Sequence, residues 1–130
     1  KAHEAKMGRR DKLVVWGTGT PRREFLHVDD LAGATRFLLE GDVGEGVYNV
    51  GVGEDLSIRE LAECVARIVG YDGELVFDAT KPDGTPQKLL DVSRLAQMGW
   101  RARIGLEEGI ARTYEDFCSH HCELETASNG

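Results

Sequence analysis

The segment WGTGTPRREF, residues 16–25, combines residue types that bind a flat ring and an anion. Trp16 offers an aromatic face on which a ring can stack. Arg22 and Arg23 carry planar guanidinium groups that pair bidentately with phosphate oxygens. Two glycines and Pro21 allow the backbone to turn sharply between the ring and the cations. The spacing therefore predicts a site for a ligand that has both a ring and a phosphate.

A second polar loop, KPDGTPQK at residues 81–88, carries complementary chemistry. Lys81 and Lys88 are cations, Asp83 is a carboxylate, and two prolines stiffen the backbone. A charged loop is usually only solvated, and a single tryptophan more often serves packing. A diphosphate sugar, however, would use both segments: the cations for its phosphates, Asp83 for its sugar or ribose hydroxyls, and Trp16 for a ring face.

Two glycine-containing segments raise the question of a dinucleotide site. Gly17-Thr18-Gly19 and Gly51-Val52-Gly53 each follow a predicted strand, but positions 22 and 56 hold Arg and Leu where the third glycine would stand. Plain turns are therefore the favoured interpretation. No tyrosine is followed four residues later by lysine. We accordingly assign no catalytic and no cofactor-binding residue to this chain.

Histidines and cysteines cluster near the end of the chain, which raises the question of a metal site. His120 and His121 lie between Cys118 and Cys122. Consecutive histidines in a polar tail do not fix a tetrahedral geometry, so we assign no metal ligand. His27 stands between two apolar residues, where a hydrogen-bonded core histidine is the default expectation.

Composition limits the class of protein. The chain has 130 residues, 41% of them hydrophobic and 30% charged, which suits one globular domain. A net charge of −7 argues against nucleic acid as a partner. No apolar run approaches the roughly 20 residues that cross a bilayer, so no membrane partner is expected. Three cysteines without a disulfide pattern fit the reducing cytoplasm.

The elements that must position these loops alternate between strands and helices, which predicts an α/β domain. Ser57 and Glu60 form a capping box, and Asp29 or Asp30 is expected to cap an earlier helix. Cys64 lies on the buried face of its helix and is expected to be a packed thiol. Strands are predicted at 13–16, 47–50 and 75–77, a short extended segment at 25–28, and helices at 30–40, 57–69, 93–98 and 106–117.

The two ends of the chain carry separate expectations. Residues 1–6 have a helical composition and no capping residue before them, so we expect the chain to begin inside a helix of a longer protein. A short frayed segment is the alternative. Residues 1–118 are expected to form the domain, and the polar stretch 119–130 a disordered tail.

Three segments resemble a known family. WGTGTPRREFLHVDDLA, YNVGVGEDLSIRELA and VFDATKPDGTPQKLLDVSRLAQMGW are similar to the C-terminal portion of the GDP-L-fucose synthases, which are extended short-chain dehydrogenases/reductases. The resemblance runs from Lys1 to about Phe117. Other extended reductases share the R-x-F-x-x-V-x-D and YNVG patterns, but the combination of WGTGTPRREF with KPDGTPQKLLD is specific to this family.

The resemblance implies a fold and an activity. The fold would be a substrate-binding domain with a small mixed sheet and helices, without the family's N-terminal Rossmann domain. The intact family enzyme epimerises GDP-4-keto-6-deoxy-D-mannose at C3 and C5 and reduces C4 with NADPH, giving GDP-L-fucose. NADPH and the catalytic residues would belong to the missing domain, and the intact enzyme would be a homodimer.

The resemblance also implies which residues contact the GDP-sugar. The family's substrate-contacting positions match Lys1, Trp16, Arg23, Asp83 and Lys88. Gln87 departs from the family pattern, which commonly has arginine there, and this change would weaken one phosphate or surface contact.

Two other functions stay open at this stage. The chain could be a stand-alone GDP-sugar-binding module without catalysis, or part of another nucleotide-sugar epimerase or dehydratase. A G-x-x-G-x-x-G and a Y-x-x-x-K upstream in the same reading frame would favour the enzyme.

We predict that this 130-residue chain by itself neither reduces a keto-sugar nor binds NADPH tightly, because it lacks a phosphate-cradling loop and a Tyr/Lys pair. The test is incubation with NADPH and GDP-4-keto-6-deoxymannose while the nicotinamide absorbance is followed. Turnover above a buffer control would contradict the prediction.

Overall fold

A computed structural model describes the backbone of residues 1–127 and the side chains of residues 1–120. The strands in this part of the chain are β1 (Lys12–Trp16), β2 (Arg22–Arg23), β3 (Leu56–Ser57), β4 (Glu74–Asp78) and β5 (Gln87–Lys88). The helices are α1 (Ala2–Met7), α2 (Val28–Glu40), α3 (Ile58–Val69), α4 (Ser93–Gln97) and α5 (Leu106–Ala127). The predicted α/β class with small sheets is confirmed.

The first sheet joins two strands that lie far apart in sequence. β1 pairs in parallel with β4, with Leu13 opposite Leu75 and Trp16 opposite Asp78. Parallel neighbours need a crossover, and here the chain between them contains α2 and α3. Leu13 and Leu75 pack against a small core in which Tyr71 is buried. This sheet ends at Trp16 and Asp78, so the two loops that follow start side by side.

The second sheet connects those loops. Its strand order is β3-β2-β5, with β2 antiparallel to β3 and parallel to β5. Arg22 is opposite Gln87, and Arg23 is opposite Lys88. The short strand β2 thus places both arginines next to the end of the 81–88 loop.

The start of α2 corrects one prediction. His27, rather than Asp29 or Asp30, is the N-cap residue, because its backbone is extended and its ring Nδ1 accepts from the backbone N–H of Asp29 at 3.2 Å. Asp30 is buried instead, and one of its oxygens accepts from the backbone N–H groups of Arg103 and Ile104. That carboxylate fixes the segment that leads into α5.

The structure confirms both predicted ends of α3. The side chains and backbone of Ser57 and Glu60 form the capping box, and Gly70 ends the helix in the left-handed conformation with φ of 74°. Cys64 is buried, as expected for a packed thiol.

Residues 47–50 do not form the predicted strand. A strand requires a neighbouring backbone to pair with, and none of the described residues supplies one. Arg94 holds the segment instead, through a hydrogen bond from Nη1 to the carbonyl of Val47 at 2.9 Å and a stacked contact 4.1 Å from the ring of Tyr48.

Large apolar side chains are exposed on the surface of the described residues: Val47 is 85% exposed and Leu39 on α2 is 81% exposed. We therefore expect this chain to be marginally stable or to associate.

The C-terminal helix is longer than the sequence suggested. α5 continues to Ala127, past the predicted end at residue 117. The disordered tail at 119–130 stays a prediction, and residues 128–130 and the side chains of His121 and Cys122 lie outside the described residues.

Within the described residues, no cluster of three possible metal ligands occurs. None of the described helices is long and apolar enough to span a membrane.

Replacement of Asp30 by Asn should lower the free energy of unfolding by about 1–3 kcal/mol, because a buried acceptor of two backbone N–H groups loses its charge. The matched control is Asp29→Asn on the same helix, where the side chain is 69% exposed. That variant should change stability by less than about 0.5 kcal/mol. Urea unfolding measures both, and equal effects would show that the Asp30 contacts do not fix the segment before α5.

Candidate ligand-binding site

Two loops lie side by side along one edge of the molecule. The first is the turn of residues 16–23 and the second is the loop of residues 81–88. Contacts join them along their length: Asp83 binds Thr18, and the N–H of Arg22 donates to the carbonyl of Pro86 at 2.8 Å. We call this pair of segments the two-loop surface. It contains four of the five residues for which a ligand role was predicted, and the side chain of Lys1 reaches its edge.

Asp83 joins the two loops by two hydrogen bonds. Its Oδ1 accepts from the backbone N–H of Thr18 at 2.6 Å, and its Oδ2 accepts from the hydroxyl of the same residue at 2.8 Å. Bonds from neutral donors to a charged carboxylate are stronger than bonds between neutral groups. Asp83 therefore holds the 81–88 loop against the glycine turn, a role that the sequence did not reveal.

Gly17 is required for that contact. Its φ is +87°, and a Cβ placed there would collide with Oδ1 of Asp83. Gly19 has φ of +80°, and a Cβ there would lie 2.5 Å from the ring of Phe77. Both glycines of the WGTGT turn are thus explained by backbone conformation and close approach, in agreement with the predicted turn.

Trp16 lies at the end of β1 and is 65% exposed. Two ammonium groups approach its ring: Nζ of Lys1 is 5.2 Å from the ring centroid, and Nζ of Lys81 is 5.7 Å away. Both distances are in the range of cation–π attraction. The structure therefore brings together the predicted pair of Lys1 and Trp16, and it adds Lys81.

The neighbouring arginines differ in their surroundings. Arg22 donates from Nε to Asp55 at 2.7 Å, and its Nη1 is 3.8 Å from Glu60. Hydrogen bonding to Asp55 raises the pKa of Arg22, and hydrogen bonds from Gln87 and Arg22 lower the pKa of Asp55. The stabilisation from this carboxylate is present above its ordinary pKa and is lost as the pH falls through its lowered value. The positive charge of Arg22 is therefore already balanced by Asp55 and Glu60.

Among the residues that the structure describes, Arg23 has no such partner. Its Nη1 donates to the carbonyl of Arg22 at 2.7 Å, and its Nη2 lies beside Gly84 of the second loop. Among the described residues, no carboxylate lies within 4.0 Å of the side-chain nitrogens of Arg23, Lys1, Lys81 or Lys88. The two-loop surface therefore carries four cations, Arg22, Arg23, Lys81 and Lys88, against one carboxylate, Asp83, in a chain of net charge −7. Such a patch attracts an anion.

Two carboxylates that sequence reasoning missed support this surface. Asp55 accepts from Gln87 Nε2 at 2.5 Å as well as from Arg22, so it joins β2 to β5. Glu24 accepts from the backbone N–H groups of Val52 and Gly53, each at 2.6 Å, and from that of Leu90 at 3.0 Å. The sequence offers no signal for either contact, because each spans at least 28 residues.

A separate apolar groove of about 500 Å³ runs between α3, α5 and the segment 25–28. Val65, Ile110 and Phe117 are among its lining residues, and the lining contains no lysine, arginine, aspartate or glutamate. It therefore lacks the cations that a phosphate requires. The two-loop surface is the better candidate for an anionic ligand.

The chain is similar in sequence to known enzymes. Residues 1–51 match the NAD dependent epimerase/dehydratase family. GDP-L-fucose synthase 1 of Arabidopsis thaliana is 51% identical over 92% of this chain, which spans 37% of that protein. GDP-L-fucose synthase of Escherichia coli K12 is 52% identical over 88% of this chain, which spans 39% of it.

A solved structure shows the same fold. The GDP-mannoheptose C4 reductase MlghC from Campylobacter jejuni, with NADP bound, matches with a TM-score of 0.74 and 35% identity over 88% of this chain and 40% of that one. The fold of this chain is therefore similar to part of that reductase. The resemblance to the GDP-L-fucose synthases is confirmed by the sequence identities, and the chain spans less than half the length of these relatives.

Gly17→Ala should separate the two loops and weaken binding of a GDP-sugar in the protein expressed from the complete reading frame. The matched control is Gly44→Ala, where φ is +65° and a Cβ would meet nothing within 4 Å. Both variants should lose about 1 kcal/mol of stability from the left-handed backbone, and Gly17→Ala more because of its collision. Equal stability and equal ligand affinity in the two variants would contradict the proposed contact.

Proposed function

We propose that this chain is the GDP-sugar-binding part of a GDP-L-fucose synthase. The observation that carries the proposal is a group of cations beside an exposed tryptophan on the two-loop surface, none of them paired with a carboxylate that the structure describes. The sequence identity of more than 50% to GDP-L-fucose synthases supports a GDP-sugar as the ligand. In the intact enzyme, GDP-4-keto-6-deoxy-D-mannose would be epimerised at C3 and C5 and reduced at C4.

Each side chain of the two-loop surface binds a different part of the ligand. Arg23 holds the diphosphate, because its guanidinium offers two parallel donors and no carboxylate of the described residues competes for them. Lys88 is opposite it on β5 and adds a point charge. Trp16 offers its exposed face to a ring, with Lys1 at its edge. Asp83 retains free lone pairs for a sugar or ribose hydroxyl, beyond its two bonds to Thr18.

Binding by these groups would orient the sugar for a reaction carried out elsewhere in the protein. Rigid placement of the diphosphate fixes the position of the attached sugar ring, and such positioning lowers the entropic part of a reaction barrier. The chain's own residues bind and orient, and we assign none of them a proton-transfer step.

The nicotinamide cofactor does not fit the described residues. The glycines at 17 and 19 lead into the strand β2, and those at 51 and 53 lead into β3, so neither pair opens a helix that could face a pyrophosphate. NADPH, which supplies the hydride for C4 in the proposed reaction, would bind in a different part of the intact enzyme. We propose a cytoplasmic homodimer, and we expect this chain alone to be inactive.

A second candidate is a reductase that acts on another GDP-sugar. The likeness to a GDP-mannoheptose C4 reductase favours it, because that protein's substrate shares the GDP group. The two-loop surface would bind the GDP part in either case. A side-by-side assay with GDP-4-keto-6-deoxymannose and a GDP-heptose separates the two.

Arg23→Lys should weaken binding of GDP-fucose to the protein expressed from the complete reading frame, because lysine keeps the charge but loses the forked donors. Arg23→Ala should weaken it further. The loss of one charge-assisted contact corresponds to roughly 1.5–3 kcal/mol, or about tenfold to a hundredfold in Kd. Calorimetric titration measures the dissociation constants.

The control is Arg36→Ala, which removes the same charge from the exposed face of α2, where Arg36 pairs with Glu40. Its affinity should equal that of the wild type. If both Arg23 variants also bind as well as the wild type, Arg22 or another cation holds the phosphates and the assignment is wrong.

A further inference from the structure

Lys81 is one of the loop cations expected to meet a phosphate, but the family resemblance assigns no ligand contact to this residue. Its ammonium lies 5.7 Å from the centroid of the Trp16 ring, and the Lys1 ammonium lies 5.2 Å from the same centroid. Among the described residues, no carboxylate comes within ion-pair distance of either nitrogen. Two like charges therefore lie near one exposed indole, and neither is paired with a carboxylate of the described residues.

The backbone around Lys81 is held in place from both sides. Its N–H donates to the carbonyl of Asp78 at 3.1 Å, and Asp78 also accepts from the N–H and hydroxyl of Thr80. On the other side, Pro82 restricts the chain and Asp83 is bound to Thr18. A cation on so constrained a segment needs little further ordering to meet a ligand.

The charges near Lys81 favour an anion over a neutral ligand. Cation–π attraction to Trp16 accounts for the approach of one ammonium. A second ammonium at the same ring adds repulsion, and this repulsion is relieved when a negatively charged group enters between them. A mere cover for the indole would not require two charges.

We propose that Lys81 is a further anion-binding residue, which contacts the diphosphate at the Trp16 end of the two-loop surface while Arg23 and Lys88 act at the other end. The inference rests on the proposed function and adds a specific role to it. Lys81 makes the site selective for a nucleoside diphosphate over the uncharged nucleoside, because its ammonium attracts the charged phosphates and makes no contact specific to the nucleoside.

The test compares Lys81→Gln with Lys12→Gln in the protein expressed from the complete reading frame. Lys12 begins the same strand that ends at Trp16, but it pairs with Glu74 at 3.4 Å and lies outside the two-loop surface. Dissociation constants are measured for GDP and for guanosine, at low and at high salt.

We expect Lys81→Gln to weaken GDP binding about tenfold at low salt and less at high salt, because salt screens exposed charges. Its affinity for guanosine should not change, Lys81→Arg should restore GDP binding, and Lys12→Gln should match the wild type. Wild-type affinity of Lys81→Gln for GDP would overturn the inference, as would an equal loss for guanosine, which would mean that Lys81 acts by supporting the ring.

The outcome is distinguishable from a failure of the proposed function. If the unaltered protein binds neither GDP nor GDP-fucose, the proposed function and this inference are both wrong. If it binds GDP, loses affinity in Arg23→Ala and keeps it in Lys81→Gln, only the inference about Lys81 is wrong.

Discussion

The pair of hydrogen bonds between Asp83 and Thr18 is the contact on which the candidate site depends. It joins a turn after β1 to a loop after β4, and these two segments are 65 residues apart in the chain. The parallel pairing of β1 with β4 starts both loops at the same edge, and the pairing of β2 with β5 brings them together again. Between these fixed ends, Asp83 determines how closely the two loops approach, and Gly17 makes the approach possible.

The distribution of charge gives the surface its chemistry. Two adjacent arginines have opposite roles, because successive residues of a strand point to opposite faces. Arg22 is bound to Asp55 and helps to join β2 to β5, whereas Arg23 lies beside Gly84 and is paired with no carboxylate in the described part of the chain. Gln87 stands where the resemblance led us to expect arginine, and its amide donates to Asp55. In this chain, Gln87 therefore supports the sheet.

Much of the fold could be predicted from the sequence, and the reasons for the exceptions are physical. The capping box at Ser57 and the glycine that ends α3 depend on residues close in sequence, so their patterns alone predicted both ends of the helix. The strand predicted at 47–50 is absent, because a pattern of apolar residues produces a strand only where a partner backbone exists. His27 caps α2 because the helix already begins at Val28, so both expected aspartates lie inside it, and Asp30 binds the distant backbone of residues 103–104.

The central claim is that the two-loop surface holds the diphosphate of a GDP-sugar, and a crystal structure with GDP-L-fucose bound tests it most directly. The protein expressed from the complete reading frame should be crystallised with that ligand. The account predicts a diphosphate oxygen within hydrogen-bond distance of the Arg23 guanidinium, with a ligand ring against Trp16. A diphosphate bound to Arg22 alone, or located away from both the 16–23 turn and the 81–88 loop, would contradict it.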